Sequence, residues 1–308
     1  MGTFLSKPDT EKTREKGEAR DLKYWACSMR GWRITMEDTS HVDLQFDDGT
    51  SLFCIFDGHG GDEVARFCEN NFAKELKLNR NYATKNYKKA LVETFLRMDD
   101  LMRASKGKDE LYKYKGNNSA DRNVYSGCTA LVCLIVKDVM FIANAGDCRA
   151  LLFKSNGVIF QLNKEHKPTD PEELSRIIQA GGVVLNGRIA EILNLSRAIG
   201  DLEYKNNFLL KPHEQMISAL PDVVEKKLEA DDVGILLGCD GVYEKLTDTV
   251  IRDIILDGME RNDDMDKVLD NVFDQTLAPA MYSSFAGFDN MTGILIQLGK
   301  KTAPSCDK

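Results

Sequence analysis

The sequence predicts an α+β fold in which antiparallel strands form hairpins and helices are grouped between them. Three observations carry this. The runs TALVCLIV (129–136), VMFIANA (139–145) and RALLFK (149–154) follow one another across Lys-Asp and Gly-Asp-Cys, the spacing of a meander. Helical patterns fall in separate stretches, two before this meander, one after it and two near the C-terminal end. No internal repeat and no regular strand–helix–strand alternation runs through the chain, as a parallel sheet would require.

The elements follow in order. Residues 1–22 are polar, with Lys and Arg interleaved among Asp and Glu, and are expected to form a mobile arm. YWACSM (24–29) reads as a first strand and SLFCIF (51–56) as a second. From Asp62 to Leu78, Val64, Ala65, Phe67, Cys68, Phe72 and Leu76 recur at helical spacing, and a second helix is expected over about 85–104. Residues 105–123 are polar and rich in Gly and Asn, the composition of a surface loop. After the meander and a Ser-Asn-Gly turn, VIFQL (158–162) adds a strand. DPEELSRIIQAGG (170–182) is a helix with Asp170 as N-cap, Pro171 in its first turn and a glycine stop. VGILLGC (233–239) is a strand, 248–259 and 265–281 are helices, and MTGILIQL (291–298) closes the fold. One domain over 23–299 and a short tail over 300–308 result.

Composition narrows the function. With 43% apolar and 29% charged residues, the chain is that of a globular protein. A net charge of −8 argues against nucleic acid as a partner. No apolar run approaches the roughly 20 residues that cross a bilayer. The eight cysteines form no CxxC pair and several lie inside apolar runs, which fits buried thiols in a reducing, cytoplasmic setting. MGTFLS fits the pattern for myristoylation of Gly2. A single acyl chain without a polybasic patch gives only weak, reversible membrane attachment.

The chemistry lies where acids meet strands. Asp57 follows SLFCIF, Asp147 follows VMFIANAG, Asp240 follows VGILLGC, Asp289 precedes MTGILIQL, and Glu37 and Asp38 lie shortly after the first strand. A single Asp at such a place is ordinarily a turn former or cap. Five such places invite a different reading, provided the strands lie side by side. Clustered carboxylates repel unless a cation shares them, and an all-oxygen donor set suits Mg²⁺ or Mn²⁺. The four histidines lack zinc spacing. The corner DGHGG (57–61) could cradle a phosphate, hold a metal or simply turn. Glu63 stands where a dinucleotide fingerprint needs its third glycine, and Asp57 would repel a pyrophosphate. No P-loop motif occurs. A cation near Asp57 and a backbone carbonyl is the reading that remains.

RITMED (33–38), DGHGG, SGCTA (126–130), NAGDCRA (144–150), LSRAIGD (195–201), CDGVYE (239–244) and DNMT (289–292) occur in this order. Together they resemble the motifs of the metal-dependent protein serine/threonine phosphatases of type 2C, over about residues 22–298. The resemblance implies a four-layer sandwich of two antiparallel sheets flanked by helices, with the metals at one end. It implies a monomeric enzyme that hydrolyses phosphoserine and phosphothreonine on phosphoprotein substrates with a metal-activated water and no covalent intermediate. Two Mg²⁺ or Mn²⁺ ions are expected, with a weaker third. Asp57 would bridge the pair, Gly58 would offer its carbonyl, and Asp240 and Asp289 would bind one ion. Glu37 and Asp38 would act largely through waters, and Asp147 with Asp240 would hold the third ion. Arg33 would grip the phosphate, and His59 would protonate the leaving oxygen. Thr129, Gly146 and Asn290 match supporting positions.

Two departures stand out, Tyr243 for a tryptophan and Glu244 for an aspartate, the latter being a candidate third-metal ligand of altered geometry. The segments VVLNGRIAEILN (183–194) and 202–218 are expected to form a flap beside the site. Two readings compete with this one. Cys27 and Arg33 have the C-x5-R spacing of cysteine-nucleophile phosphatases, although YWAC reads as a buried strand. A catalytically silent phosphatase fold that binds phosphoproteins is the other.

Overall fold

The computed structural model describes residues 4–116, 123–280 and 286–299. Gly2 and the 300–308 tail lie outside these residues. The chain opens with β1 (Phe4–Ala19), β2 (Leu22–Arg33), β3 (Thr39–Asp47), β4 (Thr50–Phe56) and the short β5 (Gly58–His59). Helices α1 (Glu63–Leu78), α2 (Arg80–Ala83), α3 (Tyr87–Arg103) and α4 (Ser105–Lys115) follow as a block. The meander comprises β6 (Gly127–Cys128), β7 (Ala130–Val136), β8 (Val139–Ala145), β9 (Arg149–Lys154) and β10 (Ile159–Gln161). Next come α5 (Pro171–Gln179), the small strands β11 (Val184–Leu185), β12 (Arg188–Ile189) and β13 (Ile199–Gly200), then β14 (Asp222–Lys227) and β15 (Asp232–Gly238). Helices α6 (Asp240–Tyr243), α7 (Asp248–Arg261) and α8 (Met265–Thr276) precede the closing β16 (Met291–Leu298).

Two antiparallel sheets form the centre, a six-stranded one in the order β1-β2-β16-β15-β9-β10 and a five-stranded one in the order β14-β8-β7-β4-β3. Their central strands are apolar without a break because both faces are buried, while the pleat still sorts residues by period two. In β4, Phe53 and Ile55 join the core between the sheets, whereas Leu52, Cys54 and Phe56 pack with α1 and α3. β7 alternates in the same way, with Leu131, Cys133 and Ile135 inward and Ala130, Val132 and Leu134 toward the helices. On the opposite side, Ile251, Ile255, Leu269 and Phe273 of α7 and α8 cover the six-stranded sheet. The α+β class and the four layers, helix, sheet, sheet, helix, are as expected.

Two expectations are corrected. Residues 4–19 are not a mobile arm but a 16-residue strand on β2. Lys12, Arg14 and Lys16, spaced by two, face Asp274, Asp270 and Asp266 of α8, spaced by four. Two strand residues advance about 6.7 Å and four helix residues about 6 Å, so the two rows stay in step over three ion pairs. Lys12 Nζ lies 2.5 Å from Asp274 Oδ1 and Arg14 Nη2 lies 2.6 Å from Asp270 Oδ2. The first half of the 105–123 stretch is helix α4 rather than loop. Its Gly107 crosses the end of α3 so closely that a Cβ would stand 2.0 Å from the Leu101 carbonyl oxygen. The glycine that reads as a loop former is a helix-contact residue.

Replacing Lys12, Arg14 and Lys16 together by Gln is expected to speed amide exchange along β1 at low ionic strength. Wild type and variant should converge at high salt, where exposed ion pairs are screened. Unchanged exchange at low salt would mean that backbone pairing alone holds the strand.

Candidate active site

The predicted acids meet at one end of the sandwich. Asp57 leaves β4 and is fixed by Thr129, whose N–H donates to the Asp57 carbonyl at 2.9 Å and whose Oγ1 accepts from the Asp57 N–H at 3.3 Å. Gly58 is a close approach, since a Cβ there would stand 2.3 Å from the Glu37 carbonyl oxygen. Asp240 opens α6 directly after β15, and Asp147 lies in the turn after β8. Carboxylate oxygens of Asp57, Asp147 and Asp240 come within 4.8 Å of one another, and Asp38, Asp57 and Cys239 form a second such group. Asp57 belongs to both.

The electrostatics of these groups are unfavourable without a cation. Burial, followed by the charges of Asp38, Asp240, Asp289 and Asp147, pushes the Asp57 carboxyl well above the usual range. Asp240 is raised likewise, by burial and then by Asp147 and Asp289. Burial, with the charge of Asp289 adding to it, raises Asp38 to about 7. Asp38 Oδ2 and the neighbouring Thr292 Oγ1 are buried with no hydrogen-bond partner. An orphaned carboxylate oxygen in a nest of acids is what a hard divalent cation satisfies, so the donor set fits one. Burial, with the charges of Asp38 and Asp57 adding to it, holds the Cys239 thiol well above its ordinary pKa. A further acid group, Glu229, Asp231 and Asp232, is already served by Lys154 Nζ, at 2.6, 2.6 and 3.0 Å.

Around this centre the remaining candidates take separate places. Glu37 Oε2 accepts from the Gly61 N–H at 3.0 Å, and its own N–H donates to Asn290 Oδ1 at 3.0 Å. The Asn290 amide also donates to the carbonyls of Arg30 and Thr35, clamping the RITMED loop. Arg33 Nη2 lies 2.6 Å from Asp289 Oδ2. Asp147 Oδ2 is paired with Lys167 Nζ at 2.5 Å. Glu244 is not brought into the group around Asp147. Its Oε2 accepts from the backbone N–H groups of Gly287 and Phe288 at 2.6 and 3.1 Å, so the longer side chain anchors the loop before Asp289.

His59 has a partner that sequence reasoning missed. Its Nε2 lies 2.7 Å from Oδ2 of the buried Asp201, a residue in the left-handed region at φ 48°. Burial alone would lower the imidazole pKa. The Asp201 charge and hydrogen bond, with help from Asp147 and Glu37, outweigh it and hold the pKa above 6.5. With Nε2 committed to Asp201, the buried and unpartnered Nδ1 is the nitrogen left to carry a transferable proton. Gly127 lets the pair meet, since a Cβ there would stand 2.4 Å from Asp201 Oδ2 and 2.7 Å from His59 Nε2. The signal was the last residue of LSRAIGD.

The segments expected as a flap, 183–194 and 202–218, share a small core with α5 and Leu195, including Ile177, Ile189, Leu195 and Ile217. It is tied down by buried Glu173, which accepts from Arg176, Ser196 and Arg197. Arg197 also donates to Asp222 at 2.8 Å. The cysteine-nucleophile reading fails on position. Cys27 is buried in β2, where burial and Asp270 raise its thiol to about 12.

A nest of buried acids at one end of a double-sheet sandwich, with a paired histidine and an arginine beside it, defines a metal-dependent hydrolase of phosphate esters. The family description "Protein phosphatase 2C" matches residues 22–284. "Probable protein phosphatase 2C 6" of Paramecium tetraurelia is 46% identical over 297 residues, covering 96% of this chain and 99% of its own. "Protein phosphatase 2C 1" of the same organism is 43% identical over 97% of this chain and 99% of its own. The crystal structure of a phosphatase from Toxoplasma gondii superposes with a TM-score of 0.75 at 25% identity, covering 96% of this chain and 97% of that one. The chain belongs to the protein phosphatase 2C family and is a metal-dependent protein phosphatase.

In metal-free protein, Asp57→Asn is expected to raise stability by roughly 0.5–2 kcal/mol, because one of several repelling charges is removed. Manganese should stabilise the wild type, by about 2.7 kcal/mol at a hundredfold excess over Kd, and leave the variant nearly unmoved. Thermal melts with and without the ion check both signs.

Proposed function

We propose that the protein hydrolyses phosphoserine and phosphothreonine in phosphoproteins by direct attack of water, with no covalent enzyme intermediate. The observation that carries this is the place of Asp57, which stands both with Asp147 and Asp240 and with Asp38 and Cys239. A carboxylate so placed could serve more than one cation. Asp57, the Gly58 carbonyl, Asp240 and Asp289 would hold two Mg²⁺ or Mn²⁺ ions, with Glu37 and Asp38 receiving their waters. When bound, such ions supply Lewis acidity, making water nucleophilic at neutral pH and offsetting phosphoryl charge. A weaker third ion at Asp147 and Asp240 would have to displace the Lys167 ammonium, and Glu244 is engaged elsewhere.

The chain's own residues do the rest. Arg33 orients the phosphate through paired charge-assisted hydrogen bonds. His59, kept protonated by Asp201, gives the proton on Nδ1 to the departing serine or threonine oxygen. Asp201, hydrogen-bonded to Nε2, would orient the ring. The MGTFLS start further supports acylation of Gly2 and weak membrane contact in an otherwise cytoplasmic monomer.

The test is phosphate release from a phosphothreonine peptide with Mn²⁺, with a chelator control. Asp57→Asn or Asp240→Asn should nearly abolish turnover. His59→Gln should slow it by about 10²–10⁴-fold, with a smaller loss on p-nitrophenyl phosphate, whose leaving group needs no proton. Equal losses on both substrates would remove the acid role. Turnover that survives the chelator would overturn the proposal as a whole.

A further inference from the structure

The N-terminal strand reaches the site by an irregular path. From Ala19 to Lys12, β1 keeps unbroken register with β2, from Leu22 to Met29. Register then slips twice, so that eight residue steps, Phe4 to Lys12, run beside only four, Met29 to Arg33. Most of the surplus falls between Phe4 and Asp9, a stretch that includes Pro8, yet Phe4 is set opposite Arg33. The path is pinned by Asp9, whose Oδ2 accepts from Arg30 Nη2 at 2.6 Å and whose Oδ1 accepts from the Glu11 N–H at 3.0 Å.

At the end of this path Phe4 has a defined job. The Arg33 guanidinium carbon lies 6.0 Å from the centroid of the Phe4 ring, at the reach of a cation–π contact. Phe4 packs on Phe288 with centroids 5.5 Å apart, and Phe288 packs on the buried Trp32 at 5.9 Å. A three-ring ladder therefore rises from the core to the face of Arg33. The other restraint on Arg33 is the ion pair with Asp289, itself a candidate metal ligand. A carboxylate that turns to a cation weakens its hold on the guanidinium, and the aromatic face is then the contact that keeps the side chain in place. Phe4 nevertheless stays 41% exposed, so packing of the core does not account for its position.

We propose that Phe4 is a positioning residue for phosphate recognition, making the N-terminal strand a part of the active site. The proposal rests on the reading of Arg33 as the phosphate-binding residue. Its test uses the full-length wild type with Phe4→Ala, Phe4→Tyr, Arg33→Ala and the double variant Phe4→Ala/Arg33→Ala. The readouts are kcat and KM on a phosphothreonine peptide with Mn²⁺, the inhibition constant of inorganic phosphate, and a thermal melt. Phe4→Ala should raise both KM and the phosphate inhibition constant by roughly two- to tenfold, with a smaller effect on kcat and the melt preserved. Phe4→Tyr should restore the values, and Phe4→Ala should add nothing once Arg33 is gone. Unchanged constants in Phe4→Ala, or an undiminished effect in the Arg33→Ala background, would overturn the positioning role while leaving phosphatase function standing. Constants unmoved by Arg33→Ala itself, in an enzyme that turns over, would overturn the phosphate role of Arg33 and this proposal with it. Absence of turnover in the wild type would remove both.

Discussion

Asp57, Asp147 and Asp240 bring carboxylate oxygens within 4.8 Å of one another in surroundings that raise the pKa of both Asp57 and Asp240. Like charges at such range would drive protons onto the carboxyls or force the side chains apart. The second relief is closed, because each aspartate is fixed by the element that carries it. Asp57 is bonded through its own backbone to Thr129. Asp240 follows β15, and the N–H of Cys239 just before it donates to Thr292 of β16 at 3.0 Å. The rest of the architecture exists to keep these elements from moving.

That rigidity comes from burying both sheets on both faces. A strand such as β4, with Phe53 and Ile55 on one side and Leu52, Cys54 and Phe56 on the other, cannot twist its end without disturbing two cores at once. The cost of holding repelling acids at the rim is spread over the apolar contacts of four layers. A cation converts the same arrangement from a liability into a site, and metal binding and fold stability are therefore linked.

The interior was legible in the sequence because burial on two faces leaves a plain record. SLFCIF, TALVCLIV and MTGILIQL are continuous apolar runs, and the acids that end or precede them stand out by contrast. The edges were harder. β1 is held by charge pairs to a helix some 250 residues away, as in Arg14 and Asp270, and a row of alternating charges looks the same whether solvated or zipped. Gly107 was read as loop composition, but its meaning lies in the distance to Leu101, which local sequence does not contain. The pairing of Asp201 with His59 spans 142 positions and depends on the space left by Gly127. Glu244 occupies a recognisable motif position, yet its extra methylene takes it to the backbone of Gly287 and Phe288. Residue type suggested the chemistry; only tertiary contact decided which atom did it.

Helix α5 is joined to the metal end through one buried histidine. His166 Nδ1 accepts from the Gly146 N–H at 3.2 Å, and its Nε2 donates to Asp222 Oδ2 at 3.1 Å. Asp222 also receives Arg197, which is gripped in turn by Glu173 of α5. Glu173 is held low, to about 2, against the penalty of burial, by hydrogen bonds and charge from Arg197 and Arg176. The chain of hydrogen bonds thus runs from α5, through β14, to the residue before Asp147. Lys167, next to His166, pairs with Asp147 itself. Helix α5 and the surroundings of Asp147 are in this way parts of one hydrogen-bonded structure.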